Sequence, residues 1–252
     1  MVLAAPDRAA LLTLQNLAVL LYFLLPANIM LYGVNDYFDR DIDEDNPKKQ
    51  GKEARYRDSV VTNTFVLASL LAAVPLSIFL DSTGWALAAF VLLSVSYSAP
   101  PLRFKARPFL DSVSNGLYII PFVVAYTEVS GSFPPLALIL GGWFWSMAMH
   151  TFSAIPDIEP DRKNGVSTTA TFLGRDYTYV YCGSFWMLAS ISVSIYSTLG
   201  GLLLSLYVPL LAGFYLSGMS DSEAYWYYPY INAGVGAFCT LASLWVIKGV
   251  PF

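Results

Sequence analysis

Long apolar runs are the feature of this sequence that most restricts its fold. Eight stretches hold almost no charged side chains, and each approaches the roughly 20 residues with which a helix crosses a bilayer. They lie at about 10–34, 60–80, 84–100, 112–129, 133–153, 177–197, 200–218 and 228–248. None has the alternating polarity of a transmembrane β-strand. We therefore predict an all-α, polytopic transmembrane helical bundle of about eight spans, with residues 1–252 forming a single membrane-embedded domain.

The amino-acid composition excludes several other classes of protein. Only 13% of the residues are charged and 56% are hydrophobic, whereas a typical soluble domain has about 25% charged residues. The abundance of aromatic residues argues against disorder. Two cysteines cannot form a disulfide framework, and a single histidine cannot form a histidine-rich metal site. The expected surroundings are a lipid bilayer, and no nucleic-acid partner is expected.

The basic residues are distributed unevenly between the loops. Twelve of the fourteen lysines and arginines lie in the segments after the first, third and fifth apolar stretches, and none lies after the second, fourth or sixth. Cytoplasmic loops of membrane proteins carry such an excess of positive charge. The three basic loops are therefore predicted to face the cytoplasm, and with eight spans both termini would lie outside.

A first cluster of polar residues follows the first apolar stretch. Asn35, Asp39 and Asp43 are spaced by four residues, so they share one face of a helix that Pro47 would end. Asp36 adds a further carboxylate beside them. Mg²⁺ prefers one or two carboxylates together with phosphate oxygens over a full protein cage. The cluster therefore predicts a magnesium site at the membrane surface.

A solvated loop and an EF-hand are the alternatives to a magnesium site in this cluster. Acidic residues beside a span often form only a solvated loop. An EF-hand loop starting at Asp39 would need glycine at its sixth position, where this chain has Glu44.

A second cluster makes the metal site the better interpretation. Asp157 and Asp161 repeat the four-residue spacing after the fifth apolar stretch. Four spans separate the two clusters, so both lie on the same membrane side and can converge on a bridging diphosphate. The predicted metal ligands are Asn35, Asp36, Asp39, Asp43, Asp157 and Asp161.

Basic and aromatic residues accompany these carboxylates. Basic side chains at the rim of a diphosphate site would assist departure of the leaving group, although the same charges also serve membrane topology. The candidates are Arg40, Arg103, Lys105 and Arg162.

Two further residues are candidates for the wall of a cavity at this site. His150 precedes Asp157 by seven residues, about two helical turns, and Tyr97 lies in the stretch before the second basic loop. Ionisable groups inside a membrane are costly and tend to be functional. A buried histidine that serves only packing and hydrogen bonding is the alternative.

The two aspartate motifs together resemble those of the UbiA superfamily of intramembrane prenyltransferases, and the Tyr-Ser-x-Pro-Pro-x-Arg-x-Lys segment at 97–105 is similar to the basic segment of that family. The resemblance implies nine helical spans around a central chamber. It also implies an enzyme that uses Mg²⁺ to ionise a prenyl diphosphate and transfers the prenyl group to an aromatic or isoprenoid acceptor. The implied catalytic residues are Asp39, Asp43, Asp157 and Asp161, and the implied diphosphate-binding residues are Asn35, Arg40, Arg103, Lys105 and Arg162.

The start of the chain departs from the family pattern. In the family, one span precedes the helix that ends in the first motif, whereas here that motif follows the first apolar stretch. We therefore expect eight spans instead of nine, with the family's first helix missing.

Within the superfamily, the sequence at residues 24–28, 32–36 and 150–157 most resembles that of the lycopene elongases of archaea and actinobacteria. The implied reaction is dimethylallyl transfer to lycopene in the synthesis of C50, bacterioruberin-type carotenoids, in a prokaryotic cell membrane with the active site facing the cytoplasm. Prenylation of a quinone, tetrapyrrole or glycerol-ether lipid precursor is an alternative. A membrane transporter is a more distant one, since transporters usually place intramembrane carboxylates near the midplane.

Overall fold

The computed structural model describes residues 4–5, 8–43, 59–80, 82–242 and 244, and for residues 8 and 40–43 it describes the backbone alone. Across this part of the chain the regular structure is helical and no strand occurs. The predicted all-α class is therefore confirmed.

The N-terminal half contains the first eight α-helices. They are α1 (Arg8–Leu11), α2 (Leu14–Leu24), α3 (Pro26–Asp43), α4 (Val60–Leu71), α5 (Ala73–Phe79), α6 (Gly84–Ser98), α7 (Leu110–Val113) and α8 (Ile120–Ser130). Two 3₁₀ segments, Phe104–Ala106 and Ser114–Ile119, lie between α6 and α8.

The C-terminal half contains the longer single helices. The helices are α9 (Leu136–Ser153), α10 (Ile158–Lys163), α11 (Thr169–Leu173), α12 (Arg175–Ser194), α13 (Thr198–Ser205), α14 (Tyr207–Leu216) and α15 (Asp221–Ala242). A 3₁₀ turn at Ile155–Asp157 joins α9 to α10.

Each predicted span corresponds to one to three of these helices, and residues 243 and 245–248 of the eighth predicted span lie outside the described residues. Among the described residues, three helical stretches are long and apolar enough to cross a bilayer: Leu14–Asp39, Val60–Phe79 and Thr198–Leu216. Large apolar side chains on these and neighbouring helices face outward; Val60 is 83% exposed and Leu216 is 80% exposed. Such an apolar exterior suits contact with lipid and would be unusual for a soluble monomer.

The three long stretches are each broken near the middle by proline. Pro26 begins α3, and Pro75 and Pro209 lie in the first turns of α5 and α14. Proline has no N–H to donate and its ring crowds the preceding turn, so the helix bends or restarts there. The sequence predicted continuous spans at these positions, and the structure has helix pairs.

The fourth predicted span, 112–129, differs most from expectation because its first part is a 3₁₀ helix. The hydroxyl of Ser114 donates to the carbonyl of Leu110 at 2.5 Å, and the amide of Asn115 donates to that of Asp111 at 2.5 Å. Side chains thus occupy carbonyls that an α-helix uses for its own ladder, which favours a tighter turn. A regular α-helix begins only at Ile120.

Two apolar clusters hold the helices together. One is built from α2 to α6 and the helical segments up to α8, with Met30, Leu80 and Leu87 fully buried. The other joins α9, α12, α14 and α15 around Trp186 and Tyr228. The helix ends that bear the two aspartate clusters belong to different apolar clusters, so the candidate site lies where these two parts of the fold meet.

Candidate active site

A cavity of about 230 Å³ brings together residues from both halves of the chain. Helices α3, α6 and α9, the loop after α6 and the start of α10 contribute to its wall. The predicted site residues that line it are Asn35, Asp39, Tyr97, Arg103, Lys105, His150, Asp157 and Asp161. The structure therefore places the two aspartate clusters around one space, although they are more than a hundred residues apart in the sequence.

Asp39 is held by two basic side chains. The Lys105 ammonium lies 2.5 Å from one carboxylate oxygen, and the Arg103 guanidinium lies 3.6 Å from the other. Lys105 also donates to the Asn35 amide oxygen at 3.2 Å, and the Ser98 hydroxyl donates to the same oxygen at 3.0 Å. This charged face is mostly shielded from solvent, which strengthens its electrostatic interactions.

The backbone of Arg103 is left-handed, with φ at 39°. Residues other than glycine rarely adopt this region, at a cost of about 1 kcal/mol or more. The conformation turns the chain into the 3₁₀ segment Phe104–Ala106, so that Arg103 and Lys105 both reach the cavity. Backbone strain at Arg103 therefore accompanies the placement of the Arg103 and Lys105 side chains at the cavity.

The second aspartate cluster occupies a short irregular region instead of one straight helix. Asp157 ends the 3₁₀ turn that follows α9, and Asp161 lies in α10. The N–H of Val166 donates to the Asp161 carbonyl at 2.9 Å and turns the chain back after α10. Both aspartates still line the same cavity, so the four-residue spacing remains effective.

Four predicted residues are not brought to the cavity wall, or their side chains are not described. Arg162 points elsewhere: its guanidinium donates to Glu159 at 3.1 Å and to the Thr171 carbonyl at 3.0 Å, which ties α10 to α11. Asp36 lies beside the cluster on α3 but is not among the lining residues. Arg40 and Asp43 belong to α3, and their side chains lie outside the described part of the structure.

Tyr97 and His150 form a polar pair on the cavity wall. The phenol oxygen lies 3.3 Å from Nε2 of the imidazole, and the rings meet edge to face at 5.9 Å. Both residues are half-buried and reach the cavity from α6 and α9. They are separate from the ion pairs around Asp39.

The donor set of this cavity fits a hard divalent cation. The candidate ligands are carboxylate and amide oxygens, which are the donors that Mg²⁺ prefers. Within the described residues, no three His, Cys, Asp or Glu side chains come close enough to form a metal cage. A cation here would therefore need oxygens from a bound phosphate or from water to complete its coordination.

Asp111 is a buried polar residue that the sequence motifs did not reveal. Its side chain is fully buried, and it accepts hydrogen bonds from the N–H of Thr169, at 2.9 Å, and from the Thr169 hydroxyl. Burial raises the pKa of its carboxyl, and the Thr169 hydrogen bonds oppose that rise. The contact links α7 to the first residue of α11. A lone aspartate before an apolar stretch was the only sequence signal.

Comparisons with known proteins agree on one family for this chain. The sequence model of the UbiA prenyltransferase family matches residues 1–245. A lycopene elongase/hydratase of Haloferax volcanii is 51% identical over 243 residues, which cover 96% of this chain and 81% of that protein. A second lycopene elongase/hydratase, from Haloarcula japonica, is 49% identical over 246 residues, which cover 97% of this chain and 84% of that protein.

A solved structure agrees with the fold. A UbiA homologue from Archaeoglobus fulgidus, bound to DMAPP and Mg²⁺, superposes with a TM-score of 0.69 at 21% identity over 93% of this chain and 89% of that one. The polytopic helical bundle is thereby confirmed, as is the resemblance drawn from the aspartate motifs. With its sequence matched over nearly its whole length and its helices arranged alike, this integral membrane protein belongs to the UbiA prenyltransferase family.

Proposed function

We propose that this prenyltransferase uses Mg²⁺ to transfer a dimethylallyl group from dimethylallyl diphosphate to lycopene. The acceptor proposal is supported by the two haloarchaeal relatives named lycopene elongase/hydratase, which are 51% and 49% identical to this chain. Dimethylallyl diphosphate as the donor is supported by the solved Archaeoglobus homologue that binds it with Mg²⁺.

A single observation carries the mechanism: two aspartate clusters and two basic side chains face one cavity. Asp39 and Asn35 from α3, with Asp157 and Asp161 from the other half, would hold Mg²⁺ together with oxygens of a bound diphosphate. The bound metal would supply Lewis-acid stabilisation of the departing diphosphate charge. Asp43 remains a predicted metal ligand, and Arg40 remains a predicted diphosphate-binding residue.

The basic residues would share the charge of the leaving group. Arg103 and Lys105 lie on one segment and reach the cavity together, so they can donate to diphosphate oxygens when the donor is bound. Such positioned donors act most strongly on charge that develops in the transition state. Arg162 would act through the position of α10, because its guanidinium contacts the Thr171 carbonyl.

We further propose that residues 1–252 act as one domain in the cell membrane, with this cavity on the cytoplasmic side. The basic loop residues Arg103 and Lys105 line the cavity, and loops rich in lysine and arginine are retained in the cytoplasm. Dimethylallyl diphosphate, a water-soluble donor, would then reach the site from the side on which its charge is solvated.

The test is a transfer assay in membranes that contain the protein, lycopene, dimethylallyl diphosphate and Mg²⁺. We expect carotenoids heavier than lycopene by one and two five-carbon units, detected by mass spectrometry. Asp39→Asn should abolish them, whereas Asp176→Asn, at a 72% exposed side chain of α12, should not. Transfer to an aromatic quinone precursor but not to lycopene would overturn the acceptor, and full activity of Asp39→Asn would overturn the site.

A further inference from the structure

Tyr97 and His150 are not among the residues predicted to bind the diphosphate, yet they lie on the wall of the same cavity. His150 is the only histidine of the chain. It is three residues from the end of α9, about one helical turn into the bundle. A polar pair at this depth is positioned to meet the organic part of the substrates.

The Tyr97–His150 contact defines how a proton would move within the pair. A phenol can donate and accept a hydrogen bond, and a neutral imidazole has one ring nitrogen that accepts. In the tautomer whose Nε2 is the acceptor, the Tyr97 phenol donates its hydrogen to His150 across the 3.3 Å contact. The phenol oxygen then keeps its own lone pairs to accept a proton.

The proposed reaction leaves a second cation to be resolved. When the allylic cation is attacked by a terminal carbon–carbon double bond of the acceptor, that electron pair forms the new carbon–carbon bond. The positive charge moves to the other alkene carbon. This tertiary cation either loses a neighbouring proton and becomes an alkene, or is captured by water and becomes a tertiary alcohol. A residue that holds water and accepts a proton decides between these outcomes.

We propose that Tyr97 and His150 hold the water that captures the acceptor cation and accept its proton. The inference rests on the proposed function and extends it to a hydration step. A lone pair of the water oxygen forms the carbon–oxygen bond while one O–H bond breaks. The released proton passes to the phenol oxygen as the phenol proton passes to Nε2 of His150. The imidazolium later returns that proton to solvent, so atoms and charge balance.

The pair has two properties that suit this role. The imidazole and the phenol are the polar groups that α9 and α6 place together on the cavity wall, 3.3 Å apart. Neither is engaged in the ion pairs that hold Asp39, so the pair can accept a proton without disturbing those contacts. The name of the two haloarchaeal relatives, elongase/hydratase, includes the addition of water.

The test measures elongation and hydration separately in one assay. Wild-type protein, His150→Gln and Tyr97→Phe are supplied in membranes with lycopene, dimethylallyl diphosphate and Mg²⁺. Chromatography with mass spectrometry then resolves elongated alcohols from elongated alkenes. We expect both variants to elongate lycopene, with the ratio of alcohol to alkene reduced by roughly 100-fold, the lower end of the effect of a positioned proton acceptor. Tyr207→Phe is the matched control, since its hydroxyl contacts Asn232 outside the cavity.

Each outcome has a definite meaning. An unchanged alcohol fraction in His150→Gln and Tyr97→Phe would overturn the inference, as would a larger one, because the pair would then serve alkene formation. Loss of all elongation in both variants, with the proteins still folded by size-exclusion chromatography, would assign the pair to prenyl transfer and also overturn it. Wild-type protein that elongates lycopene without hydrating it would reject this inference alone, whereas the absence of any elongated product would reject the proposed function itself.

Discussion

At the scale of single residues, Lys105 is the most informative side chain of the site. Its ammonium contacts Asp39 at 2.5 Å and Asn35 at 3.2 Å, and only about a tenth of the side chain is exposed. Arg103 makes a longer contact of 3.6 Å and is about a third exposed. Because screening by solvent weakens exposed pairs most, Lys105 should contribute more to the site than Arg103.

Replacement of the Lys105 ammonium should therefore impair catalysis. We expect Lys105→Met to lower kcat/KM by about 100-fold, since it removes a positioned donor from the developing diphosphate charge. Arg103→Met should have a smaller effect. The measurement is the initial rate of prenyl transfer at varied dimethylallyl diphosphate. Lys163→Met, at an exposed position of α10, is the control, and an equal loss there would contradict the assignment.

The Asp111–Thr169 contact predicts a stability effect at a single buried site. Asp111→Ala leaves the buried Thr169 N–H without its acceptor, which costs about 1–3 kcal/mol. We expect a lower midpoint of thermal unfolding in detergent, followed by tryptophan fluorescence. Thr64→Val is the control, because the exposed Thr64 hydroxyl donates to the Val60 carbonyl within its own helix turn. An unchanged midpoint for Asp111→Ala would contradict the role of this contact.

Residues also show where sequence reasoning succeeds and where it fails. The sequence predicted that Asn35, Asp39, Asp157 and Asp161 would face one space. The four-residue spacing within each cluster follows from local helix geometry, and the number of spans between the clusters gives the side of the membrane on which each lies. The contact between Asp111 and Thr169 joins residues 58 positions apart, and no local pattern marks such a pair. The position of Arg162 was also beyond prediction, since it depends on contact with the Thr171 carbonyl in the next helix.

At the scale of helices, close packing depends on a few glycines. Helices α12 and α13 approach so closely that a Cβ at Gly201 would overlap the Ser194 hydroxyl and lie 2.8 Å from the Ser190 carbonyl. Small residues allow such approaches between helices in membrane proteins. The hydropathy pattern predicted both helices but not their separation, because apolar runs do not encode which neighbour a face will meet.

Adding one methyl group at Gly201 should force these helices apart. We expect Gly201→Ala to destabilise the protein by about 1–3 kcal/mol, as overpacking does, and to lower the thermal midpoint. Gly213→Ala in α14 is a matched control, since a Cβ there meets nothing within 4 Å. It should be neutral or slightly stabilising, because alanine favours helices. Equal midpoints for the two variants would refute the packing argument.

At the scale of the whole molecule, the site lies between two separately packed groups of helices. Asn35 and Asp39 lie on α3, which packs in the apolar cluster around Met30, whereas Asp157 and Asp161 lie beside residues of the cluster around Trp186. A ligand that contacts both aspartate clusters therefore links two parts of the fold. Such a ligand stabilises the folded state by an amount that grows with the ratio of its free concentration to its Kd.

This arrangement predicts that metal and diphosphate stabilise the protein together more than separately. Because no complete metal cage occurs among the described residues, Mg²⁺ alone should shift the thermal midpoint little. Mg²⁺ with dimethylallyl diphosphate should raise it by several degrees, and EDTA should abolish both that shift and transfer. The measurement is thermal unfolding in detergent over a ligand titration. A full shift with Mg²⁺ alone would show a preformed metal site and contradict the expectation.

The contact between Lys105 and Asp39 has a consequence for the order in which ligands arrive. The Lys105 ammonium lies beside the Asp39 carboxylate, where a divalent cation held by Asp39 would also have to lie. Metal binding is therefore an exchange. A free metal ion must displace the Lys105 ammonium from Asp39, and it provides no new anion for that ammonium to contact. A metal ion that arrives already chelated by a diphosphate brings the anion that receives the displaced ammonium. Lys105 would therefore favour binding of the diphosphate donor with its chelated metal ion over binding of either one alone.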